Sequence, residues 1–143
     1  DLLIVVPPDD PRLEELLRRL KDLPPLAGTR RNLARIHWVR GEWTRARALL
    51  EEELALFPEE VKTWRDWVDL CLADPATLSE ERKNLLNICP GRPHDLRARV
   101  ITLWWLWGER GEARRLYDAP WRDLSEREEY LYRLPLVQLL AKG

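Results

Sequence analysis

Residues 30–58, RRNLARIHWVRGEWTRARALLEEELALFP, contain two helical patterns of mostly apolar residues that are separated by Gly41. A glycine between two such patterns is typical of a turn that ends one helix and lets the next begin, and Pro58 ends the second pattern. The stretch therefore predicts a pair of helices, one near residues 29–40 and the other near 42–56. The patterns are carried by Leu33, Ala34, His37 and Trp38 before the glycine, and by Trp43, Ala46, Leu49, Leu50 and Leu54 after it.

The turn of this helix pair occurs again further along the chain. Gly41-Glu42-x-x-x-Ala46-Arg47-x-Leu49 returns as Gly108-Glu109-x-x-x-Ala113-Arg114-x-Leu116, 67 residues later. This shift is about two periods of 34 residues, the length of one helix–turn–helix repeat. Small residues such as Ala46 and Ala113 allow two antiparallel helices to cross closely. The recurrence predicts a short helical-repeat scaffold.

Start and stop signals divide the rest of the chain into further helices. Asp10 followed by Pro11 is typical of a helix start, and Pro24-Pro25 end that pattern. We expect an N-terminal capping helix near residues 10–23, then three repeats at about 28–60, 61–94 and 95–125. A C-terminal capping helix should follow at about 125–141. All of this belongs to one all-α domain over residues 10–143.

Individual residues sharpen these boundaries. Ser79 and Asp95 are the expected N-caps of the helices that follow them, and Ser125 with Glu128 forms a capping-box pattern before the last helix. The short second helix of the third repeat should run from Glu112 to Asp118. Pro135 should kink or split the C-terminal capping helix.

Residues 1–9 stand apart from the helical patterns. The apolar run at residues 2–6 is far shorter than the roughly 20 residues that a membrane span requires, and no basic region precedes it. It is expected to be an extended arm or the remnant of a preceding segment. The chain has no methionine and begins on an aspartate, so we expect a fragment or a processed product. Arginine far outnumbers lysine, which hints at a GC-rich bacterial genome.

Composition narrows the class of function. With 45% hydrophobic and 34% charged residues over 143 positions, the chain should fold around one core. The net charge of −1 produces no field that would attract nucleic acid, which makes nucleic-acid binding an unfavoured interpretation despite the many arginine and tryptophan residues. A membrane would be reached only through a segment outside this chain. We expect a cytoplasmic protein, or a periplasmic one if residues 1–6 follow a removed signal or anchor.

Tryptophan, cysteine and histidine are the residue types whose expected roles bear most on chemistry and on the core. Among the eight tryptophans, Trp43, Trp64 and Trp67 are expected to fill gaps between helices. Cys71 and Cys89 should be free and mostly buried thiols, since they are predicted at opposite ends of a helix pair. His37 falls at a core position and His94 in a predicted loop. The sequence contains no Gly-rich phosphate loop, G-x-S-x-G, H-E-x-x-H or D-x-D-x-D-G motif, so we expect neither an enzyme nor a cofactor or metal site.

The repeat pattern resembles the tetratricopeptide (TPR) repeat, W-x2-L-G-x2-Y, then A-x3-F, then P. The first repeat offers Arg30-x2-Leu33-Ala34-x2-His37, Ala46-x3-Leu50 and Pro58. The second offers Trp64-x2-Trp67-Val68-x2-Cys71, and the third offers Arg97-x2-Val100-Ile101-x2-Trp104 with Ala113-x3-Tyr117. The resemblance covers about residues 28–125. It implies antiparallel helix pairs stacked as a short TPR-like solenoid.

The resemblance also implies where a ligand would bind. In TPR proteins the first helices of successive repeats line a concave groove that usually holds a peptide. An apolar stripe and a basic patch on this groove would suit a partner protein or peptide that carries acidic and apolar residues. Asp66 stands where one asparagine of the family's carboxylate clamp would be, so that binding mode is not expected. The implied partner-binding residues are Arg31, Arg35, Trp38, Lys62, Arg65, Asp69, Leu72 and Trp105.

Two functions fit these observations. The favoured one is a protein–protein interaction module, an adaptor or assembly factor that binds a partner segment in the groove. The alternative is an effector-binding regulatory repeat domain of a larger bacterial transcription regulator or signalling NTPase. The chain's own terminal segments could also fill a groove that is only three repeats long.

Overall fold

The computed structural model describes residues 15, 18, 19, 26–74, 79–90 and 93–141. Over these ranges the chain forms seven helices with both ends defined, and these helices pack against one another. The same ranges contain no strand, so the all-α prediction is confirmed. Residues 15, 18 and 19 are helical as well, within the predicted N-terminal capping helix. The bounds are α1 Thr29–Val39, α2 Trp43–Leu56, α3 Val61–Ala73, α4 Glu80–Asn87, α5 His94–Leu106, α6 Arg110–Asp118 and α7 Glu126–Ala141.

The chain divides into two compact units, Asp1–Leu70 and Cys71–Gly143. The division falls inside α3, so the first unit contains α1, α2 and most of α3, and the second contains α4 to α7. The assignment of one domain to residues 10–143 stays a prediction. Residues 1–9, and most of the predicted capping helix at 10–23, lie outside the described residues.

The first unit is built on the helix pair that residues 30–58 predict. Helices α1 and α2 pack along their apolar faces, and the Ala46 side chain is completely buried at their crossing. Helix α3 adds Trp64 and Trp67, which are both fully buried and meet edge to face. The indole N–H of Trp67 donates to a carboxylate oxygen of Glu51 at 3.1 Å, so the buried ring keeps a hydrogen-bond partner.

The turn between α1 and α2 has the geometry that its glycine predicts. Gly41 adopts a left-handed conformation with φ of +78°, which favours glycine because it has no Cβ. Its N–H donates to the carbonyl of Trp38 at 2.9 Å, and the next N–H, of Glu42, donates to the carbonyl of His37 at 2.9 Å. These two bonds satisfy carbonyls at the end of α1. The chain then turns directly into α2.

The second unit repeats this turn between α5 and α6. Gly108 has a φ of +81°, its N–H donates to Trp105, and the Glu109 N–H donates to Trp104. Ala113 is completely buried, as its counterpart is in the first unit. Helix α7 packs on both α5 and α6. The core of this unit is formed by Cys71, Leu86, Leu96, Val100, Ile101, Leu103, Trp104, Trp107, Ala113, Trp121, Leu136 and Leu140.

Two of the predicted helix starts are confirmed. The Ser79 hydroxyl accepts the N–H of Arg82 at 3.2 Å, and the Ser125 hydroxyl accepts the N–H of Glu128 at 3.1 Å. Asp95 is not an N-cap, because α5 begins earlier, at His94, with Pro93 in the capping position. His94 therefore lies in a helix and not in a loop.

Further predictions from the sequence need correction. Helix α6 begins at Arg110 and not at Glu112, since the turn after Gly108 leads straight into it. Pro135 does not split α7, which runs through the proline as one helix, whereas a kink at this position stays a prediction. The buried Leu136 and Leu140 hold the segment after the proline against the core. Trp43 does not fill a gap between helices, because it is 39% exposed at the start of α2.

Candidate functional site

Helices α1 and α3 are joined by an ion pair on the faces that the sequence assigns to partner binding. The Arg35 guanidinium donates from Nε to Oδ2 of Asp66 at 3.1 Å, and the two side chains are 40% and 15% exposed. Arg31 lies one helical turn earlier, with Nη1 3.8 Å from the same oxygen. Trp38 follows Arg35 on this face of α1, at the spacing of one further turn.

Arg31 is not part of an exposed surface. The residue is 1% exposed, and its guanidinium lies between the carboxylates of Glu60 and Asp66, at 3.8 Å from each. The expectation that Arg31 is an accessible partner-binding residue is therefore wrong. Sequence spacing places Arg31 on the correct helix face, but the acidic groups that hold it belong to another part of the chain.

The other predicted residues of the first unit remain accessible to differing degrees. Lys62 is exposed, whereas Trp38, Arg65 and Asp69 are half-buried. Lys62, Arg65 and Asp69 recur at helical spacing on the face of α3 that carries Asp66. Aromatic and basic side chains thus occur on the two helix faces that the Arg35–Asp66 pair joins.

Leu72 and Trp105 belong to the second unit, and both are half-buried there. The Arg110 guanidinium lies 5.1 Å from the centroid of the Trp105 ring, a distance at which a cation is attracted to the face of an indole. The apolar stripe from Trp38 through Leu72 to Trp105 stays a prediction.

A cluster of carboxyl groups in the first unit was missed by the sequence analysis. Glu53 is completely buried, and its Oε2 accepts the N–H of Gly28 at 2.7 Å. Gly28 occupies the N-cap position of α1 with a φ of +90°. Glycine has no side chain that could accept a hydrogen bond from the first N–H groups of the helix. Burial, and after it the neighbouring Glu53, raises the pKa of Glu60 well above the ordinary value of a glutamate.

The sequence contained only a weak signal for this cluster. Residues 51–53 are three successive glutamates, a pattern that normally indicates a solvated helix face. Helical periodicity turns Glu53 toward the interior of the unit. A reason for a buried carboxylate at this position appears only when Gly28 is considered, because the N–H groups at the start of α1 need an acceptor. No motif connects residues 28, 53 and 60.

In the second unit, Arg97 has a structural role. Its guanidinium is largely buried and donates to the carbonyls of Leu116, Ala119 at 2.6 Å and Pro120 at 2.8 Å. These are carbonyls at and beyond the end of α6, which have no partner within that helix. The guanidinium also lies 4.1 Å from the centroid of the Trp121 ring. Arg97 therefore holds the end of α6 against α5.

His94 is engaged in the same corner of the second unit. Its ring stacks on Trp121 with 5.7 Å between centroids, and its Nε2 lies 2.6 Å from the carbonyl oxygen of Arg122. As an N–H donor to this carbonyl, Nε2 helps to hold the loop between α6 and α7. The arrangement is that of a packed histidine, with Tyr132 completing the aromatic group.

A cleft of about 390 Å³ lies beside α7. Arg133 lines it and donates to a carboxylate oxygen of Glu129 at 3.1 Å and to the carbonyl of Tyr117 at 3.1 Å. Tyr130, Leu134 and Val137 share one face of α7 and are 60%, 43% and 47% exposed. The complete lining is Tyr117, Leu124, Glu126, Glu129, Tyr130, Arg133, Leu134 and Val137.

Metal sites and membrane-spanning helices can be assessed in the described part of the chain only. No group of three or more His, Cys, Asp or Glu side chains in it is arranged to hold a metal ion. None of its helices combines the length and the apolar character that a membrane span requires. Neither Cys71 nor Cys89 forms a disulfide, as predicted, and Cys71 is buried while Cys89 is half-buried. No protein-family model, no curated protein and no solved structure matches the chain.

Proposed function

We propose that the protein is an interaction module that binds a segment of another protein along the faces of α1 and α3 in its first unit. The observation that carries the proposal is the Arg35–Asp66 pair at 3.1 Å, which joins the two helix faces where Trp38 and Lys62 are found. Tryptophan and arginine are among the residue types that contribute most to binding energy at interfaces, and a lysine at the rim adds charge that steers an acidic partner. The partner segment would carry acidic residues for Lys62 and Arg65 and an apolar residue for Trp38.

We also propose that the helices form a short TPR-like solenoid. Helices α1, α3, α5 and α7 begin at residues 29, 61, 94 and 126, a spacing of 32 or 33 residues. The matching turns at Gly41 and Gly108 support a repeating unit. Helix α4 has only 8 residues, so the second repeat departs from the pattern, as its sequence does.

The burial of Arg31 changes the role that this residue has in the proposal. Arg31 supports the surface from beneath by holding Glu60 and Asp66, and it does not contact the partner. Replacing both Arg31 and Arg65 with glutamate would therefore not separate a loss of folding from a loss of binding, because Arg31 is buried. Lys62 and Trp38 are the better positions for an experiment.

A photo-crosslinking amino acid at position 38, compared with the same residue at position 43, tests the proposed surface in source cells. Trp38 and Trp43 are both accessible tryptophans of the first unit, but Trp43 begins α2 and lies outside the α1–α3 faces. We expect a crosslinked partner from position 38 and none from position 43. Lys62→Glu in the position-38 protein should reduce the crosslink severalfold, because reversal of a rim charge slows association. Crosslinking from position 43 alone would refute the proposal.

A further inference from the structure

The last helix of the second unit carries a stripe of exposed apolar side chains. Tyr130, Leu131, Leu134 and Val137 all lie on α7, and they are four of the ten large apolar residues that are exposed in the described part of the chain. Single exposed apolar residues are ordinary on a protein surface, whereas a continuous apolar patch marks a surface that another molecule covers. Together with the exposed Gln138, these residues form what we call the α7 stripe.

We propose that the α7 stripe is the interface of a homodimer, in which the α7 helices of two copies pack antiparallel about a twofold axis at Leu134. This interface lies in the second unit. It is distinct from the proposed partner-binding surface on α1 and α3, and it stands whether or not that surface binds a protein.

The α7 stripe faces away from the core of its own unit. At about 100° of rotation per residue, its five members fall within roughly 120° of the helix circumference. Leu136 and Leu140 lie on the opposite side and are buried. Tyr130, Leu134 and Val137 also line the cleft of about 390 Å³ beside α7. A second helix laid along the stripe would therefore enter a recess instead of meeting a flat surface.

The positions of the stripe residues are symmetric about Leu134. Leu131 and Val137 lie three residues before and after it, and Tyr130 and Gln138 lie four residues before and after it. A twofold interface uses the same patch on both copies, so the patch must complement itself. Antiparallel packing about Leu134 sets Leu131 against Val137 and Leu134 against Leu134 of the second copy. It also sets the phenol of Tyr130 against the amide of Gln138, two groups that can hydrogen-bond.

The charges of α7 favour the antiparallel direction. The stripe itself contains no charged residue, and the first turn of the helix carries Glu126, Glu128 and Glu129. Parallel packing would bring these carboxylates against those of the second copy, whereas antiparallel packing separates the two sets by about 20 Å. Arg127 and Ala141 lie seven residues before and after Leu134. Antiparallel packing thus places Arg127 at the last turn of the other α7, where a helix favours a cation.

The size of the stripe predicts a reversible dimer. Between Arg127 and Ala141 the helix extends about 21 Å, which gives a patch well below the roughly 800 Å² per partner of a standard interface. The walls of the cleft, with Tyr117 and Leu124, add to the contact area. We therefore expect a dissociation constant on the order of 10–100 μM.

Sedimentation equilibrium of the purified protein tests the interface with one variant and one matched control. Leu134→Lys places two ammonium groups together at the twofold axis. Leu106→Lys changes the same residue type at nearly the same exposure, 46% against 43%, on α5 of the same unit. Wild type should pass from monomer to dimer between about 5 and 500 μM. Leu134→Lys should raise the dissociation constant by about tenfold or more, because like charges meet there.

Leu106→Lys should associate as wild type does. A wild type that is still monomeric at about 500 μM would overturn the proposal, since the stripe would then belong to a different protein partner. Equal association of Leu134→Lys and Leu106→Lys would overturn it as well, because the contact would then lie elsewhere on the chain.

Cysteine crosslinking checks the direction of packing and keeps the proposal testable if Leu134→Lys does not fold. Leu134→Cys should form a disulfide-linked dimer under mild oxidation, because this residue meets itself at the axis. The two copies of Gln138→Cys should not crosslink, since they lie about 12 Å apart along the helices and a disulfide needs Cα atoms within about 7 Å. Wild type, which retains Cys71 and Cys89, is the blank. Failure of Leu134→Cys to crosslink, or equal crosslinking at both positions as in parallel packing, would refute the proposed dimer.

Discussion

Gly41 and Gly108 lie 67 positions apart and adopt the same left-handed backbone conformation, with φ of +78° and +81°. In both turns the glycine N–H and the following N–H close the end of one helix, and the next helix begins at once. A Cβ built on either glycine would meet nothing within 4 Å. The conformation, and not close packing, requires glycine at these positions.

Gly41→Ala and Gly108→Ala should each lower the free energy of unfolding by about 1 kcal/mol, because an L-residue is strained in the left-handed region. Gly111→Ala is the matched control. Gly111 lies in α6 without a positive φ and also has open space around it, so alanine should stabilise the helix by about 0.5 kcal/mol. Urea unfolding measures all three. A destabilising Gly111→Ala, or a neutral Gly41→Ala, would contradict this assignment.

Ala46→Leu and Ala113→Leu should each destabilise the protein by about 1–3 kcal/mol, because added volume at a closed helix crossing forces the helices apart. Both alanine side chains are completely buried. Ala48, exposed on α2, is the control, and Ala48→Leu should change stability by less than about 0.5 kcal/mol. Thermal unfolding distinguishes the cases, and wild-type stability in either buried variant would refute a tight crossing there.

Arg31→Met should destabilise the first unit by about 2–3 kcal/mol, because Glu60 and Asp66 would lose the buried cation that lies between them. Arg45→Met on α2 is an exposed control that should change stability by less than about 0.5 kcal/mol. Urea unfolding provides the comparison. If Arg31→Met were as stable as the control, the burial of this guanidinium would have no energetic role.

Arg97→Lys should destabilise the second unit by about 2 kcal/mol, because an ammonium group cannot reach the three carbonyls that the guanidinium fork satisfies. Arg115→Lys preserves the charge of an exposed arginine that pairs with Glu112, and it should be neutral within about 0.5 kcal/mol. Hydrogen exchange of the α6 amides should be faster in Arg97→Lys. Unchanged exchange there would argue against its role at the end of that helix.

Cys71 and Cys89 should react slowly with a thiol reagent at pH 8 in the native protein and rapidly after unfolding. Cys71 is buried, and burial raises the pKa of Cys89 to about 12, so little thiolate is present. Because neither cysteine is in a disulfide, a reducing agent should leave the melting temperature unchanged. A native mass two units below that of the reduced protein, which a disulfide would produce, would contradict the assignment.

The sequence by itself determined the features that depend on contacts within a few residues. The turns at Gly41 and Gly108, and the hydroxyl caps at Ser79 and Ser125, were predictable because each is formed by backbone groups of its own turn. Helical periodicity also predicted that Ala46, Ala113 and His37 are buried. The same signals were wrong at Asp95, because the helix begins at His94 and its cap is Pro93, two residues before the expected cap.

Tertiary structure alone decided what each charged side chain does. Arg31 and Arg35 are one helical turn apart on the same face, yet Arg31 is buried and Arg35 is accessible. Glu53 looked like one of three solvated glutamates, but it supports the start of α1 through Gly28. The burial and the pKa of an ionisable group depend on groups that other helices bring near it. The spacing of residues along one helix carries no information about those neighbours, so the burial of Glu53 and the raised pKa of Glu60 follow only from the folded structure.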